Sequence, residues 1–588
     1  MRVDSSAGHP LTVSLLSTLV ASFQIFDRRA RRQLILLLAL MIGGALLEAI
    51  AAAVIVPFIA LINDPSYLTS QPIMREMYVR SALETPTAFI TAISLGLLVF
   101  FVCKNLYLIT LASAQYRFIY TEMPRFSSEL FSKCMARPLA MHVHTNSAEM
   151  IRNVTNEVFM FFTNFLIPAM TLLTEVLVLV AILVVLIWIA PVPTFIAIVM
   201  LGGLTKLFYG LVRARVRHYG QLQQLHNAER IKWVNQGLGS IKETKVLGRE
   251  QYFVDRFSIH EAQFSQSARY AMLLNQTPRL FIETIAFAAL FLGVSIALVT
   301  GHDRASVLPV LALFAVAAVR LLPSLNRTLL SVTRMAYYRP AAEIVLEAQR
   351  VKKQQQAPFT DKTHRKIAHW NELKFDNVCF AYPGSRDVLV NLNLTIRRGT
   401  SVALIGPSGS GKTTIADLVL GLLRPAKGRI LLDGEDIQSF GEGWRTHLGY
   451  IPQSIYLLDD SIRRNVAFGL PDEDIDDKRV WHALHQARLD DHVRGLPEQL
   501  SAFIGEHGGK LSGGQRQRLG IARALYGDPD FIVLDEATSA LDETTEKEIA
   551  DTLDGLKGEK TLLIIAHRPE TINRCQYKYS VDQQAFVQ

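Results

Sequence analysis

The sequence predicts a chain in two parts. An all-α membrane domain of six spanning helices comes first, fused to a soluble α/β domain built around a phosphate-binding loop. Three observations predict it. Of 588 residues, 50% are apolar and only 19% are charged, a balance that suits a membrane protein carrying a soluble part. Six stretches are long and apolar enough to span, at roughly 20 residues each. Finally, GPSGSGKTT (406–414) lies between a β-branched run, SVALI, and a helix-forming run, IADLVLGLL.

The spans fall approximately at 34–62, 87–112, 160–189, 193–213, 280–300 and 306–328. Only IAPVPT (189–194) separates the third from the fourth, so these two are expected to form a tight outer hairpin. The stretch LTVSLLSTLVASF is too short to cross and reads as an interfacial helix, followed by DRRARR (27–32). Lys and Arg gather in DRRARR and in the connections 113–159 and 214–279, and are sparse in the loops 63–86 and 301–305. Positive-inside logic therefore places both termini in the cytoplasm. The two inner connections read as long helices leaving the membrane, with breaks near 137–150 and 237–250. In the outer loop a short helix is expected around 73–84, with Met74, Met77, Tyr78 and Ala82 on its apolar side. The expected limits are a membrane domain over 1–340, a linker over 341–369 and a soluble domain over 370–588. Within the linker, 351–369 is polar and charged.

The net charge of +8 belongs to these inner loops, and no motif points to nucleic acid as a partner. Cys103, Cys134, Cys379 and Cys575 are scattered without metal-type spacing. Free thiols are expected rather than a disulfide framework or a zinc site.

The soluble part carries the chemistry. GPSGSGKTT has the pattern G-x-x-x-x-G-K-T in the strand–loop–helix context that gives it meaning. Gly406, Gly409 and Gly411 let backbone N–H groups approach phosphates. With Ser408, Ser410 and Thr414 they form the expected ATP-binding loop. Lys412 is expected at the β/γ-phosphates and Thr413 on Mg²⁺. FIVLDEATSALD (531–542) reads as a buried strand ending in acids. Asp535 fits a Mg²⁺ ligand, and Glu536 follows where a base can polarise the attacking water. LSGGQRQR (511–518) opens a helix. Its Ser512, Gly513 and Gly514 offer a hydroxyl and N–H groups to an anion. These residues do not easily reach a phosphate on their own loop and make sense as a cap supplied by a second copy.

This set resembles the ATP-binding cassette family over the whole of 370–588. The resemblance implies that Gln453 in YIPQ senses Mg²⁺ and contacts the membrane domain. It makes His567 in IIAHR the switch histidine near the γ-phosphate. Tyr382 in FAYPG would stack on adenine, Asp542 would belong to the D-loop, and Gln515 would complete the signature at the ATP. Two departures stand out. His567 is followed by Arg568-Pro569, where the family usually has a leucine and a serine, and YKYSVDQQAFVQ lacks the usual glycine turn. Neither touches the phosphate chemistry, so an active ATPase is expected.

Six spans followed by one cassette resemble an exporter half-transporter of the type IV fold, which implies a homodimer. The last span, VRLLPSLNRTLL (319–330), then presents a puzzle. Charge inside a membrane is costly and usually faces a partner or a water-filled cavity. Arg320, Ser324, Arg327 and Ser331 follow helical spacing as one polar stripe. At 1.5 Å per residue, Arg320 lies ~20 Å in from the outer side and Arg327 ~30 Å in. Arg279 sits at the cytoplasmic end of the fifth span. Glu48, Glu175 and Glu283 also fall within spans, and Glu283 lies four residues from Arg279. Snorkelling, ion pairing, and an anion site in the cavity are the three readings. Arg suits phosphate because its planar fork donates two bonds at once.

A closer resemblance favours the anion site. TPRLFIETIAF (277–287), VRLLPSLNRTLL, LLEAIAAAVIVPFI, IGEHGGKLSGGQRQR and the 63–86 loop are similar to the PglK-type lipid-linked oligosaccharide flippases. That family implies pyrophosphate binding by Arg279, Arg320 and Arg327. It also implies that the loop helix engages the polyprenyl tail. The expected activity is ATP-driven flipping of a polyprenyl-pyrophosphate-linked oligosaccharide across the bacterial inner membrane. The alternative is export of another lipid (lipid A-like), a drug or a peptide on the same scaffold. A gated channel or regulatory subunit is disfavoured by the complete catalytic set.

Overall fold

The computed structural model describes residues 15–63, 71–81, 83, 85–144, 147–189, 191–299, 304–350, 367, 369–382, 384, 386–536, 543–566 and 568–587. The chain divides into two units. One comprises Met1–Ala136 and Asn146–Gln355, the other Arg137–Thr145 and Gln356–Gln588.

The first unit is helical. Helix α1 (Leu15–Gln24) is turned inside out. Its Thr18 and Ser22 are buried, whereas Leu16 is 74% exposed. Ser22 Oγ donates to the Thr18 carbonyl at 2.7 Å, which satisfies the buried hydroxyl. An apolar outer face is what a helix lying against lipid requires. The turn after it is tied by Asp27, which accepts from the Ala30 N–H at 2.9 Å. Arg31 Nε donates back to the Phe26 carbonyl at 2.9 Å.

The first span is α2 (Arg28–Asn63). A short outer-loop helix, α3 (Pro72–Arg80), starts at a proline in its first turn. The second span is part of α4 (Pro86–Met135). The tip helix α5 (Leu139–His144) follows. The third span opens with α6 (Ser147–Arg152) and widens through two π-helical segments, Asn153–Glu157 and Phe161–Leu166. It continues as α7 (Ile167–Ile189). After it come α8 (Pro191–Gly239), the tip helix α9 (Ile241–Leu247), α10 (Glu250–Val299) and α11 (Arg304–Arg350). Gly248 ends α9 with φ 61°, its N–H bonding back to the Thr244 and Lys245 carbonyls. Among the described residues, Arg28–Val54, Pro86–Met135 and Glu149–Val185 are long and apolar enough to cross a membrane. Phe26, Phe118, Phe126, Phe161, Phe162 and Phe165 form an aromatic core between α2, α4 and the third span.

Three expectations are corrected here. The linker expected from 341 begins as helix, because α11 continues to Arg350 with Ala341, Ala342, Val345 and Leu346 buried. Residues 137–145 group with the soluble unit rather than with 1–340, and Ala140 packs on that unit's core. The outer-loop helix spans Pro72–Arg80 rather than 73–84. Its Tyr78 packs edge-on against Phe89 at 5.2 Å, while Met77 is 49% exposed. Ala82 lies outside the described residues.

The second unit is α/β. Its strands are β1 (Glu372–Ala381), β2 (Asp387–Arg397), β3 (Ser401–Ile405), β4 (Lys427–Leu432), β5 (Glu435–Asp436), β6 (Leu448–Ile451), β7 (Phe531–Asp535), β8 (Thr561–Ile565), β9 (Tyr577–Ser580) and β10 (Ala585–Val587). One antiparallel sheet has the order β2-β1-β4-β5, and a larger sheet has the order β10-β9-β3-β8-β7-β6. In the larger sheet β9, β3, β8, β7 and β6 pair in parallel. SVALI, FIVLD and TLLII are continuous buried runs, the pattern of strands covered on both faces. The two sheets and their helices enclose two separate cores. One gathers around Trp370, Phe375, Leu418 and Phe531, the other around Ile451, Leu484, Leu519 and Ile549.

Candidate functional site

Ligands of an open parallel sheet bind beyond the carboxyl ends of its strands. Here β3 delivers the loop 406–411, and β7, two strands away across β8, delivers Asp535 and Glu536. Gly411 caps helix α12 (Lys412–Val419) with φ 96°. A Cβ there would stand 2.7 Å from Leu389 Cδ2, so both the turn and the close approach require glycine. At Gly409, with φ 85°, a Cβ would meet nothing within 4 Å, so the loop faces open space there. The Ser410 hydroxyl is buried with no hydrogen-bond partner. Lys412 is 5% exposed, and its Nζ donates to the Gly406 and Pro407 carbonyls at 2.8 Å each. The loop is thus built and cationic, with donors to spare for phosphate.

Carboxylates crowd opposite it. Burial raises the pKa of Asp535, the neighbouring Glu536 charge raises it further, and Lys412 opposes the shift. Burial, and then Asp535, push Asp417 up to about 6. Tyr450 is pushed up to about 12, chiefly by burial. Such excess negative charge fits a hard divalent cation. Glu536 adopts φ 46°, the left-handed region that is costly for a side-chain-bearing residue. Its backbone N–H bonds to the Ile565 carbonyl at 3.0 Å. Its carboxylate accepts from Gln453 Nε2 at 2.7 Å. Tyr382 packs edge-on against Phe380 at 5.0 Å, with its hydroxyl 3.4 Å from Thr414 Oγ1.

The signature residues stand elsewhere. Ser512 caps helix α13 (Gly513–Leu525) through a capping box with Gln515. The Ser512 N–H donates to Gln515 Oε1 at 2.8 Å. This helix packs in the core around Leu484 and Leu519, whereas α12 packs in the core around Trp370. The fold therefore joins Lys412, Asp535, Glu536 and Gln453 and leaves Ser512, Gly513, Gly514 and Gln515 on a different core. His567 and Asp542 lie outside the described residues. Asp417 was not foreseen. Its signal was present in the sequence, since it follows Thr413 by four residues and shares its helical face.

Within the spans, Arg327 is ion-paired. Its Nε lies 2.5 Å from Glu175 Oε1, with 56% of the Arg327 side chain exposed and 9% of Glu175. Its Nη2 donates to Glu175 Oε2 at 3.3 Å. The Ser324 hydroxyl also donates to Glu175 Oε2. Ser324 and Ser331 are 1% and 4% exposed. The expected Arg-Ser-Arg-Ser stripe therefore splits, because its serines point into the helix packing while Arg327 opens outward. A second pair, unforeseen in its partner, joins Lys104 to Glu48 at 2.9 Å. Arg279 and Arg320 lie on α10 and α11, and their side chains fall outside the described residues.

Residues 389–539 match the family model described as ABC transporter. The chain is 34% identical over 456 residues to an ATP-dependent lipid A-core flippase of Cupriavidus metallidurans, covering 76% of this chain and 74% of that one. A protein of the same name from Ralstonia nicotianae is 32% identical over 458 residues, covering 76% and 75%. The fold is that of a bacterial Atm1-family ABC exporter solved with ATP bound, at TM-score 0.74 and 21% identity over 96% of this chain and 95% of that one. A membrane unit of spanning helices and one ATP-hydrolysing cassette share this chain, which belongs to the ATP-binding cassette exporters as a half-transporter.

Proposed function

We propose that this chain works as a homodimeric, ATP-driven flippase for a phosphate-bearing glycolipid of the lipid A class. It would act in the bacterial inner membrane with both termini and the cassette in the cytoplasm. The observation that carries this reading is the 34% identity over three quarters of the chain to a lipid A-core flippase. The half-exposed Arg327 guanidinium in the last span supports an anionic headgroup.

In the ATPase cycle Lys412 and the loop N–H groups of 406–414 hold the phosphates. Thr413, Asp535 and Gln453 are the residues that would hold Mg²⁺, which when bound neutralises charge on the β- and γ-phosphates. Glu536 orients and polarises the attacking water, and Gln453 steadies its carboxylate. By the family resemblance Tyr382 would stack on adenine and His567 would serve as the switch histidine for the γ-phosphate. Ser512, Gly513, Gly514 and Gln515 of a second copy close the site, since on their own chain they belong to another core. ATP joins the two cassettes and hydrolysis parts them.

A second reading is the polyprenyl-pyrophosphate oligosaccharide substrate. The helix Pro72–Arg80 in the outer loop favours it, as do arginines at 279, 320 and 327. Proteoliposomes containing fluorescent lipids separate the two. ATP-dependent translocation is expected for a lipid A-core glycolipid and is expected to drop at least tenfold after its phosphates are removed. Faster movement of the polyprenyl-pyrophosphate glycan would select the second reading. Equal movement of neutral phosphatidylcholine would sink both.

A further inference from the structure

We infer that Glu175 is a built-in competitor for the anion that Arg327 binds, so that the site releases its phosphate by re-forming an internal ion pair. The inference rests on the proposed phosphate-bearing substrate. It assigns Glu175 and Ser324 as positioning residues that set affinity and release at Arg327.

Two of the three guanidinium nitrogens of Arg327 are engaged by one carboxylate. A ligand phosphate that uses the same planar fork must displace that carboxylate. The displaced carboxylate is buried, at 7% exposure, on α7 against Ser324 of α11. A buried carboxylate without its cation is costly, so the freed Glu175 always pulls Arg327 back. Ser324 softens that cost. Its hydroxyl already donates to Glu175 Oε2, and it stays with the carboxylate when the arginine leaves. Charge is conserved in the exchange, with one anion replacing another on a single guanidinium. The exposure asymmetry sets the direction of motion, because the arginine side chain is 56% exposed and free to swing while Glu175 is fixed in the packing.

A transporter needs this weakness. A site that bound phosphate with an unopposed arginine would hold its substrate after the cavity reopened. With the competitor present, apparent affinity falls by the fraction of time Arg327 is free.

The test measures stimulation of ATPase activity by the phosphorylated glycolipid in proteoliposomes, together with the maximal flipping rate. E175Q is expected to lower the apparent KM about tenfold and to lower the maximal flipping rate as release slows. S324A is expected to act in the opposite sense. It strips the freed carboxylate of its hydroxyl, strengthens the competitor, and raises the KM about threefold. S324A leaves the ion pair in place and keeps the test open should E175Q fold poorly. A wild-type preference for phosphorylated lipid that E175Q leaves unchanged, or a fall in KM with S324A, overturns the competitor assignment alone. A wild type indifferent to the lipid phosphate overturns the substrate reading together with this inference.

Discussion

The two units treat buried charge in opposite ways. Among the described residues, the buried charged side chains of the membrane unit are Lys104, Glu122, Glu157 and Glu175. Each has an opposite charge at hand, in Glu48 at 2.9 Å, Arg125 at 3.6 Å, Arg152 at 3.5 Å and Arg327 at 2.5 Å. In the soluble unit the buried charges are Lys412 and Asp535. Lys412 rests on two carbonyls, and Asp535 has no ion-pair partner among the described residues. Burial raises its pKa, the neighbouring Glu536 charge raises it further, and Lys412 opposes the shift. Lys104 and Glu175 fall within spans, where no solvent rescues a charge and it must bring its own partner, and Glu122 and Glu157 keep partners in the inner connection. A buried charge in the cassette has no ion pair among the described residues, as expected where phosphates and a divalent cation are proposed to bind. Unpaired buried charge therefore marks the site, and paired buried charge marks the scaffold. Arg327 falls between the two, paired yet exposed.

Four experiments test this contrast. The largest effect is expected from E536Q, which removes the proposed general base next to Asp535. ATP turnover should fall at least about 100-fold, read as phosphate release, with binding of a fluorescent ATP analogue retained. Normal turnover would remove Glu536 from the chemistry.

Breaking a scaffold pair comes next. Lys104→Ala removes the ammonium 2.9 Å from Glu48 and should cost about 3–5 kcal/mol of stability. Unfolding followed in mixed micelles checks it, and the double replacement K104M/E48Q should recover much of the loss. A single variant as stable as wild type would mean that the pair is incidental.

The third is a pH dependence. Asp417 is held up to about 6 in the folded chain, against an ordinary value of 3.8. Between those values the folded state keeps a proton that the unfolded state releases. Stability of the ATP-free protein should therefore fall as pH rises from about 4 to 6, by less than the roughly 3 kcal/mol of the full shift, because solvent screens this half-buried carboxyl. Asp417→Asn should flatten that part of the profile. Thermal unfolding of the cassette at a series of pH values reads both, and an unchanged slope in the variant would take the titration away from Asp417.

The smallest effect is expected outside either kind of burial. Glu76 and Arg80 on α3 pair at 2.6 Å but are 63% and 78% exposed. Glu76→Gln should shift stability by less than about 1 kcal/mol, because solvent screens the pair. A loss comparable to that of Lys104→Ala would show that exposure does not separate the two cases.

The nucleotide loop was legible because its chemistry is local. Gly406 through Thr414 are consecutive, and the strand before them and the helix after them announce themselves by composition. Asp535 and Glu536 were legible for the same reason, at the end of a five-residue buried run. The long helices were legible from apolar length, but their ends were not. Nothing local in AAEIVLEAQR distinguishes a packed helix end from a linker, and α11 continues there because Val345 and Leu346 find a core.

By itself the sequence determined the two-part plan, the spans, the phosphate loop and its acids, since each depends on neighbours along the chain. The tertiary structure alone decided the partners. It set Lys104 on Glu48 across 56 residues and Ser324 on Glu175 across 149, and it placed the Ser512 cap on a different core from Lys412. Periodicity shows that a side chain shares a helical face, but not which other helix packs against that face. The arginine of the last span is therefore readable from sequence as a costly charge, and only the packing of α7 against α11 shows what neutralises it.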